Sequence, residues 1–445
     1  MSAIDFLKAR LAANPEAGAL GFRDQAVTAG QVLEQIDTSK AWLTGQGVKA
    51  GSAVVLIGDF TLEAIGHMLA LIELDAITIP LTRATLRNVE EQLEEVEPDL
   101  IIDVDQARVE VRTRPAVANA HYRTLREGGV AGLVLFTSGS TGRPKAVVHD
   151  YSRLLEKFHD TRPSMVTLNF LLFDHWGGLN TLLHSLSSGS MLVLPDSRQP
   201  DDICTLISRY RIELLPATPS FLNMLLISGA VLRHDLSSLK VISFGAEPMP
   251  ASTLERLRAA FPTVDLRQTY GMIELGVLRA KSKSDGSLWV KLGGKGYDLR
   301  VVDGMLEIKA AATMLGYINH ASPMTDDGYF KTGDLVEEDG EYLKILGRKS
   351  DLINVGGQKV YPAEVETVLL EIDGVLDASV HGEAHILTGK IVVARVIIPE
   401  DREAAEMRKA IKRHCAERLQ PYMVPTKIHF ETGQLQNHRL KRQRL

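Results

Sequence analysis

The sequence predicts an α/β protein: a large N-terminal domain of stacked αβ sheets with a β-rich subdomain, followed by a small α+β C-terminal domain. Three observations point there. Strand-like and helix-like patterns alternate across 53–80, which calls for a parallel sheet with right-handed crossovers. Strand-like runs at 132–136, 241–244 and 266–269 each lead into a polar or glycine-bearing turn, and open α/β sheets bind ligands at such carboxyl ends of strands. A polar break, Gly347-Arg348-Lys349-Ser350-Asp351, then divides the chain into 1–349 and 350–445, and the second part is long enough to be a domain.

The elements follow in order. Helical apolar spacing runs over 28–46, with Gly47 as its stop. A buried strand over 53–57, a helix over 61–74 and a strand over 76–80 form the first βαβ unit, and another αβ unit surrounds 100–102. A helix over 151–158 follows the turn after 136. The run 170–173 leads into Asp174-His175-Trp176-Gly177-Gly178 and a helix over 179–186. Strands are expected at 191–195 and 212–216. A helix over 219–226 carries Pro219 in its first turn, where the missing N–H does no harm. Residues 270–274 read as a turn. Asp303-Gly304 marks a hairpin within 301–309, and β character continues through 329–334 and 338–342. The last domain mixes strands at 378–380 and 391–398 with helices at 363–370 and 402–419.

Bulk properties narrow the function. The 445 residues are 45% hydrophobic and 24% charged, the composition of a soluble globular protein, and the net charge of −6 argues against a general nucleic-acid binder. Cys204 and Cys415 are far apart and lack metal-ligand spacing, which suits a reducing compartment. Met1-Ser2-Ala3-Ile4-Asp5 puts an acid where a signal peptide needs basic residues. The longest apolar region, 53–81, is interrupted by Asp59, Glu63, His67, Glu73 and Asp75, so no membrane span is expected. The expectation is a cytoplasmic enzyme.

The stretch Val134 to His149, VLFTSGSTGRPKAVVH, carries the strongest chemistry. Two glycines free the backbone of the turn. The hydroxyls of Thr137, Ser138, Ser140 and Thr141, with the loop N–H groups around Gly139 and Gly142, can wrap a polyphosphate, and Lys145 supplies a point charge. Composition alone leaves an ordinary Gly/Ser hairpin loop open. A Walker loop is not matched, because the glycines are spaced differently and Lys145 is not followed by Ser or Thr.

This run resembles the phosphate-binding signature of the acyl-adenylate-forming ligases: acyl-CoA synthetases, luciferases and peptide-synthetase adenylation domains. Further motifs follow in that superfamily's order. Gly245-Ala246-Glu247-Pro248 and Tyr270-Gly271-Met272-Ile273-Glu274 are similar to the next two. The resemblance implies that Tyr270 stacks on adenine, that Gly245 and Ala246 line the base pocket, and that Glu274 holds Mg²⁺. Position 273 departs from the pattern, since relatives usually carry Thr or Ser there. Asp334 in Lys331-Thr332-Gly333-Asp334 matches the ribose-binding acid, and Arg348 the second ribose contact. Ser350 stands at the hinge about which the small domain is expected to move. Gly356 and Gly357, in Ile353-Asn354-Val355-Gly356-Gly357-Gln358-Lys359-Val360, would line the thiol channel. Lys441 matches the catalytic lysine, although Leu440 replaces the usual Gly.

Phe173, Asp174, His175, Trp176 and Gly177 align with the acyl-pocket segment, to which Met272 is added. Many acyl- and aryl-activating relatives carry His at 174. Amino-acid-activating relatives have Asp after Phe, so Asp174 hints at an amine-bearing acid; alternatively His175 satisfies it or it caps the next turn. The implied reaction turns a carboxylic acid and ATP into acyl-AMP and pyrophosphate, then transfers the acyl group to a thiol, coenzyme A first. Lys145, Glu274 and Lys441 are the expected catalytic residues. A carrier-protein phosphopantetheine or an amine is the alternative acceptor, and a nucleotide-binding protein without turnover is the remaining reading, suggested by Ile273 and Leu440.

Overall fold

The structure is a computed structural model that describes residues 2–112, 119–137, 143–160, 163–284, 287–294, 296–432 and 435. Four sheets organise these residues. In the first, Asp265–Gln268, Val241–Phe244, Leu214–Ala217, Thr167–Leu168, Leu192–Leu194 and Gly18–Phe22 run parallel, and Gln25–Thr28 closes one edge antiparallel. The second has Gly132–Thr137, Ile77–Leu81, Ala53–Ile57 and Leu100–Asp103 parallel at its centre. Antiparallel strands lie outside them, Lys145–Asp150 and Gly316–Tyr317 on one side and Arg108–Val111 on the other.

The alternation read over 53–80 is therefore correct. Ala53–Ile57 and Ile77–Leu81 are buried at every position, as strands covered on both faces must be. Val54 and Leu56 belong to one hydrophobic cluster, Ala53, Val55 and Ile57 to another. The expected first helix is Ala29–Gly45, and Thr28 starts it with a capping box. Its side chain accepts from Gln31 N, and the Gln31 side chain accepts from Thr28 N.

The third sheet is antiparallel throughout and is the β-rich subdomain: Tyr270–Met272, Gly276–Ser282, Trp289–Gly293, Tyr342–Arg348, Phe330–Asp339, Met305–Ala310 and Tyr297–Val302. The hairpin about Asp303-Gly304 is present. Residues 270–272 are a short strand paired with Gly276–Ser282, not part of a bare turn.

In the C-terminal unit, Ile353–Val355, Gln358–Val360, Asp377–His385, Gly389–Ile397 and Lys427–Phe430 form the fourth sheet. Pro362–Leu369 and Ala404–Arg418 pack on it. Its apolar residues, from Ile353 to Ile428, form a cluster that shares no member with the other three. Asn223 Nδ2 donates to Leu376 O at 3.0 Å, joining this unit to the helix Pro219–Ile227.

A second difference from expectation lies at the helix Trp176–Ser188, which starts three residues before the predicted 179. Gly177 and Gly178 mask the start in sequence because they are poor helix formers. Here they are needed. A Cβ on Gly178 would lie 2.3 Å from Leu172 O, and one on Gly177 2.3 Å from Leu171 Cδ1. His175 caps the helix, its Nδ1 accepting from Gly177 N.

Candidate active site

Three strand ends of the first sheet open onto a cavity of about 370 Å³, through Pro216 and Ala217, through Ser243 and Gly245, and through Gln268 and Thr269. The β-rich sheet contributes Tyr270 to Glu274, Asp334, Ile345 and Gly347-Arg348, and the second sheet contributes Thr137 and Lys145. Residues more than two hundred positions apart, Thr137 and Arg348 among them, thus converge where the first sheet presents its carboxyl ends, the place such sheets bind ligands.

Thr137 and Lys145 sit opposite each other in register, at the base of the phosphate-loop sequence. Ser138, Gly139, Ser140, Thr141 and Gly142 lie outside the described residues. Asn319 holds the far side: its Oδ1 accepts from Ala146 N at 3.1 Å and its Nδ2 donates to Pro144 O at 3.1 Å and to Glu95 Oε2 at 2.8 Å. Arg143 also pairs with Glu95.

Asp334 and Arg348 are cross-strand partners, with Arg348 Nε 3.5 Å from Asp334 Oδ1, and Tyr270 donates its hydroxyl to Asp334 Oδ2 at 2.6 Å. Burial pushes the Asp334 carboxyl above its ordinary range, opposed by Arg348 and the Tyr270 hydrogen bond. Burial first, then the Asp334 charge, raises the Tyr270 hydroxyl well above 10. Tyr270 therefore remains a donor.

Glu274 is buried, and its Oε1 accepts from Tyr317 OH at 2.8 Å. The Tyr317 ring also lies 5.4 Å from Lys145 Nζ. The carbonyl of Ile273 accepts from Nε2 of His149 at 2.7 Å. Burial lowers that imidazole from 6.5 to about 4, so it stays neutral near pH 7.

The turn after Val241–Phe244 is tight. Ala246 adopts φ +70°, rare for a residue with a side chain, and a Cβ on Gly245 would lie 2.4 Å from Thr269 Oγ1. A Cβ on Gly271 would lie 2.8 Å from Gly276 O. Glu247 Oε1 accepts from Ser220 N at 2.7 Å, in the first turn of Pro219–Ile227, where the helix dipole favours a carboxylate.

A family model described as AMP-binding enzyme matches residues 7–330, and one described as AMP-binding enzyme C-terminal domain matches 364–440. The chain belongs to the AMP-binding enzyme family. It is similar to the 2-succinylbenzoate–CoA ligase of Listeria monocytogenes serotype 4b (strain F2365), with 26% identity over 479 residues covering 98% of each chain. It is 27% identical to acyl-CoA synthetase 7 of Caenorhabditis elegans over 429 residues, 88% of this chain and 78% of that one. Its fold is shared with the anthranilate CoA ligase AuaEII, solved with anthranoyl-AMP. There the TM-score is 0.83 and the identity 21%, with 99% of this chain and 95% of that one covered. The resemblance read from the motifs is borne out, and with it the enzyme class, the AMP-forming acid–CoA ligases.

Within this AMP-binding enzyme, the cavity wall holds Thr137, Lys145, Gly245, Ala246, Glu247, Tyr270, Gly271, Met272, Glu274, Asp334 and Arg348 of the residues singled out in the sequence. His175, Trp176 and Gly177 line it too. Phe173 and Asp174 do not. Because the helix begins at Trp176, the two residues before its cap turn back into the protein. Phe173 is fully buried, edge-on to Phe60 at 5.2 Å. Asp174 Oδ2 accepts from Thr82 N at 3.1 Å and Thr82 Oγ1 at 2.9 Å. It is buried and turned to Thr82, away from the cavity wall.

Ser350 is exposed in the 3₁₀ turn Lys349–Asp351, donating to Asp351 Oδ1 at 3.0 Å. Gly356 and Gly357 form the hairpin turn between Ile353–Val355 and Gln358–Val360, with φ +57° and +88°, and are not part of the cavity wall. Lys441 and Leu440 lie outside the described residues. Sequence reasoning missed Tyr317 and Asn319. The only local signal was Gly316, where a Cβ would lie 2.6 Å from the His121 ring.

Proposed function

We propose that this enzyme activates a carboxylic acid with ATP, releasing pyrophosphate, and passes the acyl group from acyl-AMP to the thiol of coenzyme A, releasing AMP. One observation carries the reading: Asp334, held by Tyr270 and faced by Arg348, shares a cavity with Lys145 and Glu274. In this reading Asp334 accepts from the ribose hydroxyls, with Tyr270 and Arg348 fixing its orientation. Lys145 and Lys441 offset charge as the carboxylate attacks the α-phosphate and pyrophosphate leaves, which is catalysis by positioning and electrostatics.

The residues fit a magnesium ion brought in with the nucleotide. Among the described residues no group of three or more His, Cys, Asp or Glu is placed to hold a metal alone. Glu274 is a single buried carboxylate oriented by Tyr317, and Mg²⁺ commonly takes one or two carboxylates plus phosphate oxygens. When bound, the ion supplies positive charge against the phosphate oxygens.

The domains divide at 349/350 in this reading, and Ser350 serves as the hinge. Rotation there would bring Gly356 and Gly357 to the cavity for the second step. Both cysteines are buried and free, in keeping with a cytoplasmic setting. No helix of the described residues is long and apolar enough to cross a membrane.

Pyrophosphate release from ATP and Mg²⁺ with a panel of acids tests the first step, and thioester formation on adding coenzyme A tests the second. Acid-dependent pyrophosphate followed by an acyl-CoA is the expected result. No pyrophosphate with any acid would leave a nucleotide-binding protein without turnover. Acyl-AMP that reacts only with a phosphopantetheinylated carrier protein would move the acceptor to the carrier.

A further inference from the structure

The charges around the cavity are distributed unevenly. Among the described wall residues the cations are Lys145 and Arg348, and Arg348 already faces Asp334. Four carboxylates line the same wall: Glu247, Glu274, Asp334 and Asp351. The rest of the wall is mixed: Leu171, Trp176, Met272, Ile273 and Val277 are apolar, while Thr137, His175, Ser243, Gln268 and Thr269 carry polar groups.

A further ammonium lies just behind this surface. Lys157 Nζ sits over the face of the Trp176 indole, 5.3 Å from its centroid, and 5.0 Å from the Phe158 ring. It also donates to Asn180 Oδ1. Trp176 lines the cavity and Lys157 does not. Trp176 is 2% exposed and occupies the first position of the helix Trp176–Ser188, where Gly177 and Gly178 leave no room for a side chain beside Leu171 and Leu172. Trp176 thus meets the cavity and a cation that does not line it.

We propose that Trp176 is a specificity-determining residue: by walling Lys157 off from the cavity, it restricts the enzyme to acids that carry one carboxylate on an uncharged body. The inference rests on the acid-activating reading above. One carboxylate is consumed in forming the adenylate. A second would share the wall with four acids, while the two cations among the described wall residues are already committed, Arg348 to Asp334 and Lys145 to the phosphates in the proposed reaction, and a buried charge without a partner is costly. Selection here works by an unfavourable element against the wrong substrate. The acid named for the Listeria relative, 2-succinylbenzoate, has two carboxylates and is therefore expected to be a poor ligand.

Symmetric diacids and their monomethyl esters isolate the second charge. Binding of terephthalate, adipate and the two monoesters to the full-length protein with a non-hydrolysable ATP analogue is measured by calorimetry, and pyrophosphate release is followed in parallel. In the wild type each monoester should bind at least about tenfold more tightly than its diacid. Lys157→Met alone should leave that ratio unchanged, because the indole already hides the ammonium. Trp176→Leu should narrow it, and adding Lys157→Met to Trp176→Leu should restore it. A diacid that binds the wild type as well as its ester overturns the proposal. So does a ratio unmoved by Trp176→Leu, or a narrowing that survives the double substitution. Binding preference without pyrophosphate from any acid would sink the proposed activity and leave the role of Trp176 standing. Equal turnover of diacid and ester would do the reverse.

Discussion

Tyr317 donates its hydroxyl to Glu274 Oε1 at 2.8 Å while its ring lies 5.4 Å from the Lys145 ammonium. One side chain thereby links the acid expected to meet the metal with the cation expected to meet the phosphates. Burial, then the Glu274 charge, pushes the Tyr317 hydroxyl far above its usual 10. It therefore stays protonated and donates at any working pH.

Tyr317→Phe should remove that hold on Glu274 without emptying the site. A group that orients a metal ligand is typically worth 10–100-fold in metal affinity, so the Mg²⁺ giving half-maximal pyrophosphate release should rise roughly tenfold. A magnesium titration of the variant and the wild type decides it. An unchanged midpoint would mean that Glu274 is held by its surroundings and not by Tyr317.

His149 makes stability depend on pH. Its imidazole is lowered from 6.5 to about 4 by burial, so below the unfolded value the unfolded chain binds the extra proton. The contribution is fully present above about 6.5 and is lost as pH falls towards about 4. His67, also lowered to about 4 by burial, adds in the same direction. His149→Gln keeps a donor for the Ile273 carbonyl and removes one titrating group. Its melting temperature should fall less between pH 7.5 and 4.5 than that of the wild type, as calorimetry can read. Equal falls would place the acid sensitivity elsewhere.

Asp174→Asn should act on stability and not on substrate choice. Its carboxylate accepts two hydrogen bonds from Thr82 and is buried. Asn keeps one acceptor oxygen but brings an NH₂ into that space, at a cost of about 1–3 kcal/mol for an ill-satisfied buried group. The melting temperature should drop, while the preference between an amine-bearing acid and its deaminated counterpart stays as in the wild type. A loss confined to amine-bearing acids would return Asp174 to the substrate.

What the sequence made legible follows from how local each signal is. Ala53–Ile57 and Ile77–Leu81 are apolar at nearly every position because both faces are covered, and such runs stand out. Tyr270, Asp334 and Arg348, which share one cavity wall, could be singled out because each sits in a short motif. Tyr317 and Asn319 act across the fold, on Glu274, Pro144 and Ala146, and no nearby spacing reports that. The hairpin Gly18–Phe22 with Gln25–Thr28 was missed because its turn has Arg23, at φ +54°, where a glycine would have marked it. The helix start was misjudged: Trp176 opens the helix, and residue 174 faces Thr82 and does not line the cavity.

The two-orientation mechanism makes the sharpest prediction. In the proposed reading Lys441 and Gly357 belong to the same C-terminal domain and serve different steps. Lys441→Ala should lower ATP-dependent adenylation on the order of 10²–10³-fold, the scale of a lost transition-state electrostatic group. It should still convert supplied acyl-AMP to acyl-CoA. Gly357→Leu should do the opposite, for two reasons visible in the hairpin. The turn has φ +88° at Gly357, which a leucine adopts only with strain, and its side chain would project where nothing now lies within 4 Å. That space would become the thiol channel after rotation. Ser350→Pro fixes φ at the hinge and should spare whichever half-reaction matches the orientation it favours. Rapid-quench measurement of the two half-reactions separates these outcomes. If Lys441→Ala impairs both steps equally, or neither, Lys441 is a tail residue and Leu440 marks a real departure. The phosphate charge would then fall to Lys145, the one cation of the described wall not already paired across to a carboxylate.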